Sequence, residues 1–139
     1  MARQVAGMTE TELRAKYPYM FEGASLGLDL YPGWMGPLAA ACFAADELLG
    51  ADKAGFHFRQ IKEKYGTARI YWQSREIDEK VDKKICALFD AAEKATESLC
   101  MLCSAPARVE NHSGWWLCLC EPHGRERDAR LRAVGRKQQ

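Results

Sequence analysis

A chain of 139 residues, 47% hydrophobic and 28% charged, is long enough to bury one core and excludes a disordered class. With 20 basic and 19 acidic residues the net charge is +1, which excludes a global electrostatic pull toward nucleic acid or an anionic membrane. No apolar run approaches the roughly 20 residues of a membrane span, and residues 1–5 lack the apolar stretch of a secretory signal, so a cytoplasmic protein is expected.

Thr9 followed by Glu12 has capping-box spacing and predicts a short helix through about Lys16, stopped by Tyr17-Pro18. Residues 19–33 hold Gly23, Gly27, Pro32 and Gly33 and read as irregular, with a short extended piece over 26–30. From Trp34 onward, Leu38, Ala41, Cys42, Ala45, Leu48 and Leu49 recur at helical steps, with Pro37 in the first turn and Gly50 at the end. Residues 56–61 and 68–72 are aromatic and β-branched and predict a hairpin turning at Gly66. A long helix is expected over 76–99, its core stripe being Ile77, Val81, Ile85, Leu88, Ala92, Ala95 and Leu99. On this reading it runs directly into Cys100. Residues 107–109 and 115–119 predict a second hairpin around a turn at 111–114. The arginine-rich run after His123 reads as a short basic helix or a frayed tail.

Four of the six cysteines, Cys100, Cys103, Cys118 and Cys120, fall within 21 residues beside His123. Without an export signal this pattern reads as metal before disulfide. Cys42 and Cys86 lie in apolar helical patterns and are expected to be buried as small hydrophobes. Zinc takes four soft or borderline ligands in a tetrahedron, and a C-x-x-C turn presents two of them. Cys100 and Cys103 form one such pair; Cys120 and His123 form a second at the same spacing, with 16 residues between, enough for the hairpin. Cys118 competes with Cys120 for the third position, because both point to the same side of a strand. Cys120 is preferred because it mirrors the first pair and Pro122 favours a turn. A redox C-x-x-C would sit at a helix N-terminus, whereas here the helix precedes the motif. A catalytic zinc would leave one position open, whereas four protein ligands close the sphere. The expectation is one structural zinc ion.

Gly33-Trp34, the segment from Gln60 to Tyr71 (QIKEKYGTARIY), the cysteine pair, Gly114-Trp115-Trp116 and Leu119-Cys120-x-x-His123 occur in an order that resembles a group of small proteins of tailed phages and bacterial prophages. The resemblance spans roughly residues 18–124 and supports Cys120 as the ligand. It departs at Ser104, where the group usually has glycine after the second cysteine; that alters the turn and leaves the ligands in place. It implies a phage or prophage accessory protein. Many such proteins bind a host protein, including as inhibitors of antiviral defence.

Arg59, Lys62, Lys64 and Arg69 interleave with Tyr65, Tyr71 and Trp72, a pattern that can bind single-stranded nucleic acid. A solvated hairpin face is preferred, given the near-neutral chain. Arg125, Arg127 and Arg130 begin a basic tail that can touch phosphates. Trp115 and Trp116 are expected to cover the zinc turns, and Trp34, Trp72 and these two are candidate interface anchors. His57 and His112 stand without a nucleophile or paired carboxylate, and no phosphate or dinucleotide loop is present.

The expected fold is α+β: helices on a small antiparallel hairpin or sheet, with a C-terminal zinc ribbon continuing from the long helix. The expected units are an α+β body over 1–99, a ribbon over 100–124 and a basic helix or tail over 125–139. The first functional reading is a non-enzymatic interaction protein with a protein partner and no membrane partner. The second is a nucleic-acid-binding accessory protein using the ribbon and tail, and the third a small enzyme. Oligomeric state is not legible.

Overall fold

The computed structural model describes residues 8–23 and 25–138. The fold is α+β, with two separate two-stranded antiparallel sheets. No helix among the described residues is long and apolar enough to cross a membrane.

Helix α1 (Glu10–Lys16) starts where expected, with Thr9 Oγ1 accepting the Glu12 N–H at 3.2 Å. Residues 26–30 are not extended: Gly27 takes φ 73° and a 3-10 turn follows at Leu28–Leu30. The cause lies 16 to 18 residues upstream. Glu10, 4% exposed, accepts the N–H groups of Leu26 (2.9 Å) and Leu28 (2.8 Å), the Ser25 hydroxyl (3.0 Å) and Arg14 Nε (2.7 Å). One carboxylate therefore folds the loop around itself.

Burial would push the Glu10 carboxyl up, but the Leu28 and Leu26 N–H groups, then Arg14 and Ser25, hold it at about 2 against a usual 4.5. Folding thus favours the ionised form. Its contribution is complete above about pH 4.5 and is lost as pH falls through about 2. We expect acid titration of the wild type to lose on the order of 2–3 kcal/mol over that window. Glu10→Gln is expected to be less stable at pH 7 and flatter in acid, read by urea melts at each pH. Parallel curves for the two proteins would contradict this role.

Helix α2 (Met35–Leu49) buries Leu38, Ala41, Cys42, Ala45 and Leu49 and ends at Gly50. Strands β1 (Phe56–Lys64) and β2 (Thr67–Ser74) pair antiparallel, with a bulge between Phe58 and Gln60. The strands are longer than predicted, because a tight two-residue turn closes them: Tyr65 and Gly66 both have positive φ. Phe56, Phe58, Ile61, Ala68 and Ile70 face inward, onto helix α3 (Glu79–Ala95).

Helix α3 differs from its predicted span at both ends. Asp78 caps it, accepting the Lys80 N–H at 2.8 Å. It stops at Ala95, a 3-10 turn follows at Thr96–Ser98, and Leu99 is extended. The helix therefore does not run into Cys100. Phe89, outside the predicted stripe, is central to the core: its ring lies 5.2 Å from Phe58 and 5.8 Å from Phe56. Cys86 is exposed rather than buried, on the outer side of the helix. Helix α3 and the 3-10 turn after it close one edge of the hairpin: Ala68 donates its N–H to Thr96 Oγ1 (3.0 Å) and Ile70 to Glu93 Oε2 (2.7 Å).

Strands β3 (Arg108–His112) and β4 (Trp115–Leu119) form the second hairpin, again through a two-residue turn with positive φ, at Ser113 and Gly114. His112 thus ends β3 and is no turn residue. Helix α4 (Glu121–Gln138) follows at once, so the arginine-rich run is helical, and Pro122 lies in its first turn. A second core of Trp34, Ala68, Cys100, Met101 and Leu119 lies beneath this hairpin.

Candidate metal centre

Cys100 and Cys103 lie in a turn rather than at a helix end. Leu99 bridges Pro106; Cys100 N–H donates to Ala105 O at 2.7 Å, and Ser104 N–H donates back to Cys100 O at 2.9 Å. This closed loop points both thiols to one side. Cys120 lies between the end of β4 and the start of α4, and His123 falls in the first turn of α4. The Gly124 N–H bonds Cys120 O at 2.9 Å.

These two turns meet. The ligand atoms of Cys100, Cys103, Cys120 and His123 all lie within 4.8 Å of one another, so the cluster can hold a metal ion. Cys103 and Cys120 Sγ are 3.7 Å apart; His123 Nδ1 is 3.6 Å from Cys100 Sγ and 3.1 Å from Cys120 Sγ. A tetrahedral ion with metal–sulfur bonds of about 2.3 Å and metal–nitrogen bonds of about 2.0 Å puts sulfurs about 3.7 Å apart and sulfur and nitrogen about 3.5 Å apart. The Cys103–Cys120 and Cys100–His123 separations match these values and the Cys120–His123 one is shorter, and 3.7 Å is far beyond a disulfide bond of about 2.05 Å. All six cysteines are free thiols.

Burial raises the Cys100 thiol, but the N–H groups of Cys120, Leu102 and Cys103 around its sulfur bring it down to about 7. Cys103 is pushed up to about 11, by burial and by its neighbours Cys120 and Cys100. Crowding lets one thiol ionise and resists the next, a resistance that a bound cation removes.

Cys118 lies outside the cluster. Its buried thiol faces the Glu97 carbonyl at 3.5 Å, and burial, then the nearby Cys100, raises it to about 11. Strand alternation had left Cys118 and Cys120 equivalent; they part because β4 ends at Leu119.

The ligand turn docks on the body through a seam without slack. Gly33 donates its N–H to Met101 O at 2.9 Å, and a Cβ at residue 33 would stand 1.9 Å from Cys100 O. Ser104 Oγ donates to Gly33 O at 2.6 Å. Ser104 has φ 66°, a conformation that favours glycine. The serine at this position therefore carries local strain, on the order of 1 kcal/mol, and adds a hydrogen bond to the body. At the other contact, a Cβ on Gly66 (φ +83°) would meet Leu117 Cα at 2.8 Å.

Several sequence-based expectations need correction. Trp115 and Trp116 do not cover the metal turns; both are exposed, at 65% and 48%, beside the turn at the far end of β3–β4. Trp34 is buried and stacks on Tyr31 at 4.2 Å, so it is a core residue and not a surface anchor. Trp72 is half-buried against Phe56 and Phe89. Arg59, Lys62, Lys64 and Arg69 are exposed on the hairpin. In the tail, Arg125 pairs with Glu121 at 2.6 Å and Arg127 donates to His112 O at 3.1 Å, while Arg130 is exposed. Gly33 and Ser104 were unforeseen as docking residues; the one available signal was the serine after Cys103.

No protein-family model matches the chain, and neither a curated protein nor a solved structure matches it.

Proposed function

We propose that the centre holds one zinc ion in a structural role and that the chain is a non-enzymatic interaction protein with a protein partner. Three thiolates and an imidazole are the donor set zinc prefers, and four protein ligands leave no position for water or substrate. The observation that carries the interaction reading is the exposed pair Trp115 (65%) and Trp116 (48%) on a hairpin whose base the four ligands hold. Large exposed aromatic rings on a fixed scaffold are the usual anchors of protein interfaces. Tyr65, 62% exposed, adds a third ring in the turn that rests on Leu117. A phage or prophage origin, and with it a host protein as partner, rests on the motif resemblance alone.

Metal analysis of the purified chain is expected to give one zinc per molecule. The double variant Trp115→Ala/Trp116→Ala is expected to keep the wild-type melting temperature within a few degrees, because neither ring is buried. It should also lose the protein recovered by wild type in a pulldown from host extract. A double variant that recovers the same protein equally well would sink the interaction reading. A salt-dependent shift of DNA or RNA would favour nucleic-acid binding through Arg130 and the rest of α4.

A further inference from the structure

The two edges of the first hairpin are treated differently. Pairing across the tight turn alternates, so Ala68 and Ile70 on β2, and their partners Glu63 and Ile61 on β1, turn their backbone N–H and C=O groups away from the hairpin. On the β2 edge both N–H groups are satisfied, by Thr96 Oγ1 and Glu93 Oε2. On the β1 edge neither Ile61 nor Glu63 has such a partner among the described residues. An unpaired edge of this kind is a template for another strand.

That edge opens onto a groove of about 1040 Å3, walled on the far side by the loop that Glu10 folds. The loop presents Leu30, 69% exposed, as an apolar side-chain contact. The near side is basic. Arg59 and Lys62 line the cavity, Lys64 and Arg69 continue the same face, and none of the four forms an ion pair with a described residue. Of the lining acids, Glu63 is committed to the Gly66 N–H at 2.8 Å, and Glu22 stands on the loop side.

We propose that this groove binds an extended acidic peptide, which adds to β1 as a third strand. Its backbone pairs with Ile61 and Glu63. Alternate side chains then fall on opposite faces: acidic ones toward Arg59 and Lys62, apolar ones toward Leu30. A nucleic acid has no repeating N–H and C=O to match this edge. Lys62 Nζ lies 5.4 Å from the Tyr71 ring centre and Lys64 Nζ 5.7 Å from that of Tyr65, so each ring already has a cation over one face. The proposal rests on the interaction reading but uses a surface other than the tryptophan pair, so either can fail alone.

The test is selection of linear decapeptides from a display library on the zinc-loaded full chain, followed by amide NMR of the selected peptides' complexes. Peptides alternating acidic and apolar residues are expected. They should slow exchange of the Ile61 and Glu63 amides and weaken with salt. Glu63→Pro deletes an outward N–H without touching a ladder bond; it also removes the carboxylate that accepts the Gly66 N–H, a loss that Glu63→Ala shares and so controls for. The proline variant should weaken binding about tenfold, the effect of one lost hydrogen bond of about 1.4 kcal/mol. Leu30→Asp, in an exposed side chain, should do the same should the proline variant fold poorly. Four outcomes would overturn the proposal: no peptide selected, binding indifferent to both variants, protection of Ile61 and Glu63 by self-association alone, or protection by an oligo-dT probe in place of peptide. A Trp115→Ala/Trp116→Ala protein that still binds these peptides would separate the two surfaces.

Discussion

Cys100→Ser is expected to abolish stoichiometric metal binding and to unfold residues 100–124, while α2, α3 and the first hairpin keep their structure. The reasoning is one of unequal cores. The body is held by an aromatic and aliphatic cluster that includes Phe56, Phe58, Phe89, Leu38, Leu49 and Ile85. The second core has only Trp34, Ala68, Cys100, Met101 and Leu119 fully buried, with one short hairpin above it. A two-stranded hairpin is marginal alone. Structural zinc contributes on the order of 10 kcal/mol to folding in small modules, far more than so few buried side chains supply. Removing one thiolate also leaves the other donors crowded without the ion. His123→Ala should act the same way, whereas Cys118→Ala should keep its metal, because that thiol faces Glu97 and not the cluster. Metal content by atomic emission, with amide NMR for residues 100–124, reads the result. A Cys100→Ser protein with full metal content and unchanged melting would refute the assignment.

Gly33→Ala should separate docking from metal binding. The added Cβ would lie 1.9 Å from Cys100 O and 2.7 Å from Met101 C, both backbone atoms that cannot swing aside. The seam must open, and with it go the hydrogen bonds from Gly33 N–H to Met101 O and from Ser104 Oγ to Gly33 O. Overpacking of this kind costs about 3 kcal/mol or more once the lost hydrogen bonds are added. Cys100 meets the seam through its backbone O and the ligand cluster through its thiol, so stoichiometric metal should remain while the denaturation midpoint falls. Gly33→Ala at wild-type stability would show that the seam is softer than its distances imply.

The four ligands were legible because their geometry is local: two short turns, each with a three-residue step, need no knowledge of the rest of the chain. The Thr9 cap and both hairpins were legible for the same reason. The end of α3 was not. In the sequence Ala95 and Leu99 continue the apolar step, yet the chain leaves the helix at Thr96, whose hydroxyl donates to Glu93 O and accepts the Ala68 N–H. Tryptophan burial was equally hidden, since Trp34, Trp72, Trp115 and Trp116 have the same side chain and four different surroundings. The fold of residues 25–28 depends on a carboxylate in another element, and the seam joins residues 71 apart. Neither leaves a periodicity to read.

That last separation also bears on the order of assembly. The metal ligands span 23 positions, Cys100 to His123, whereas Ser104 reaches back 71 positions to Gly33. Closing a short loop costs less entropy than closing a long one. On the ribosome the body emerges first, with Trp34 and Ala68 waiting for a lid that has not been made. On the proposed metal assignment, metal capture would preform that lid, and docking would then cover Trp34. In a metal-starved cell the newly made chain would keep a tryptophan-lined scar in view, the kind of surface that chaperones and proteases recognise. Metal supply would thereby govern how long the protein survives as well as its shape.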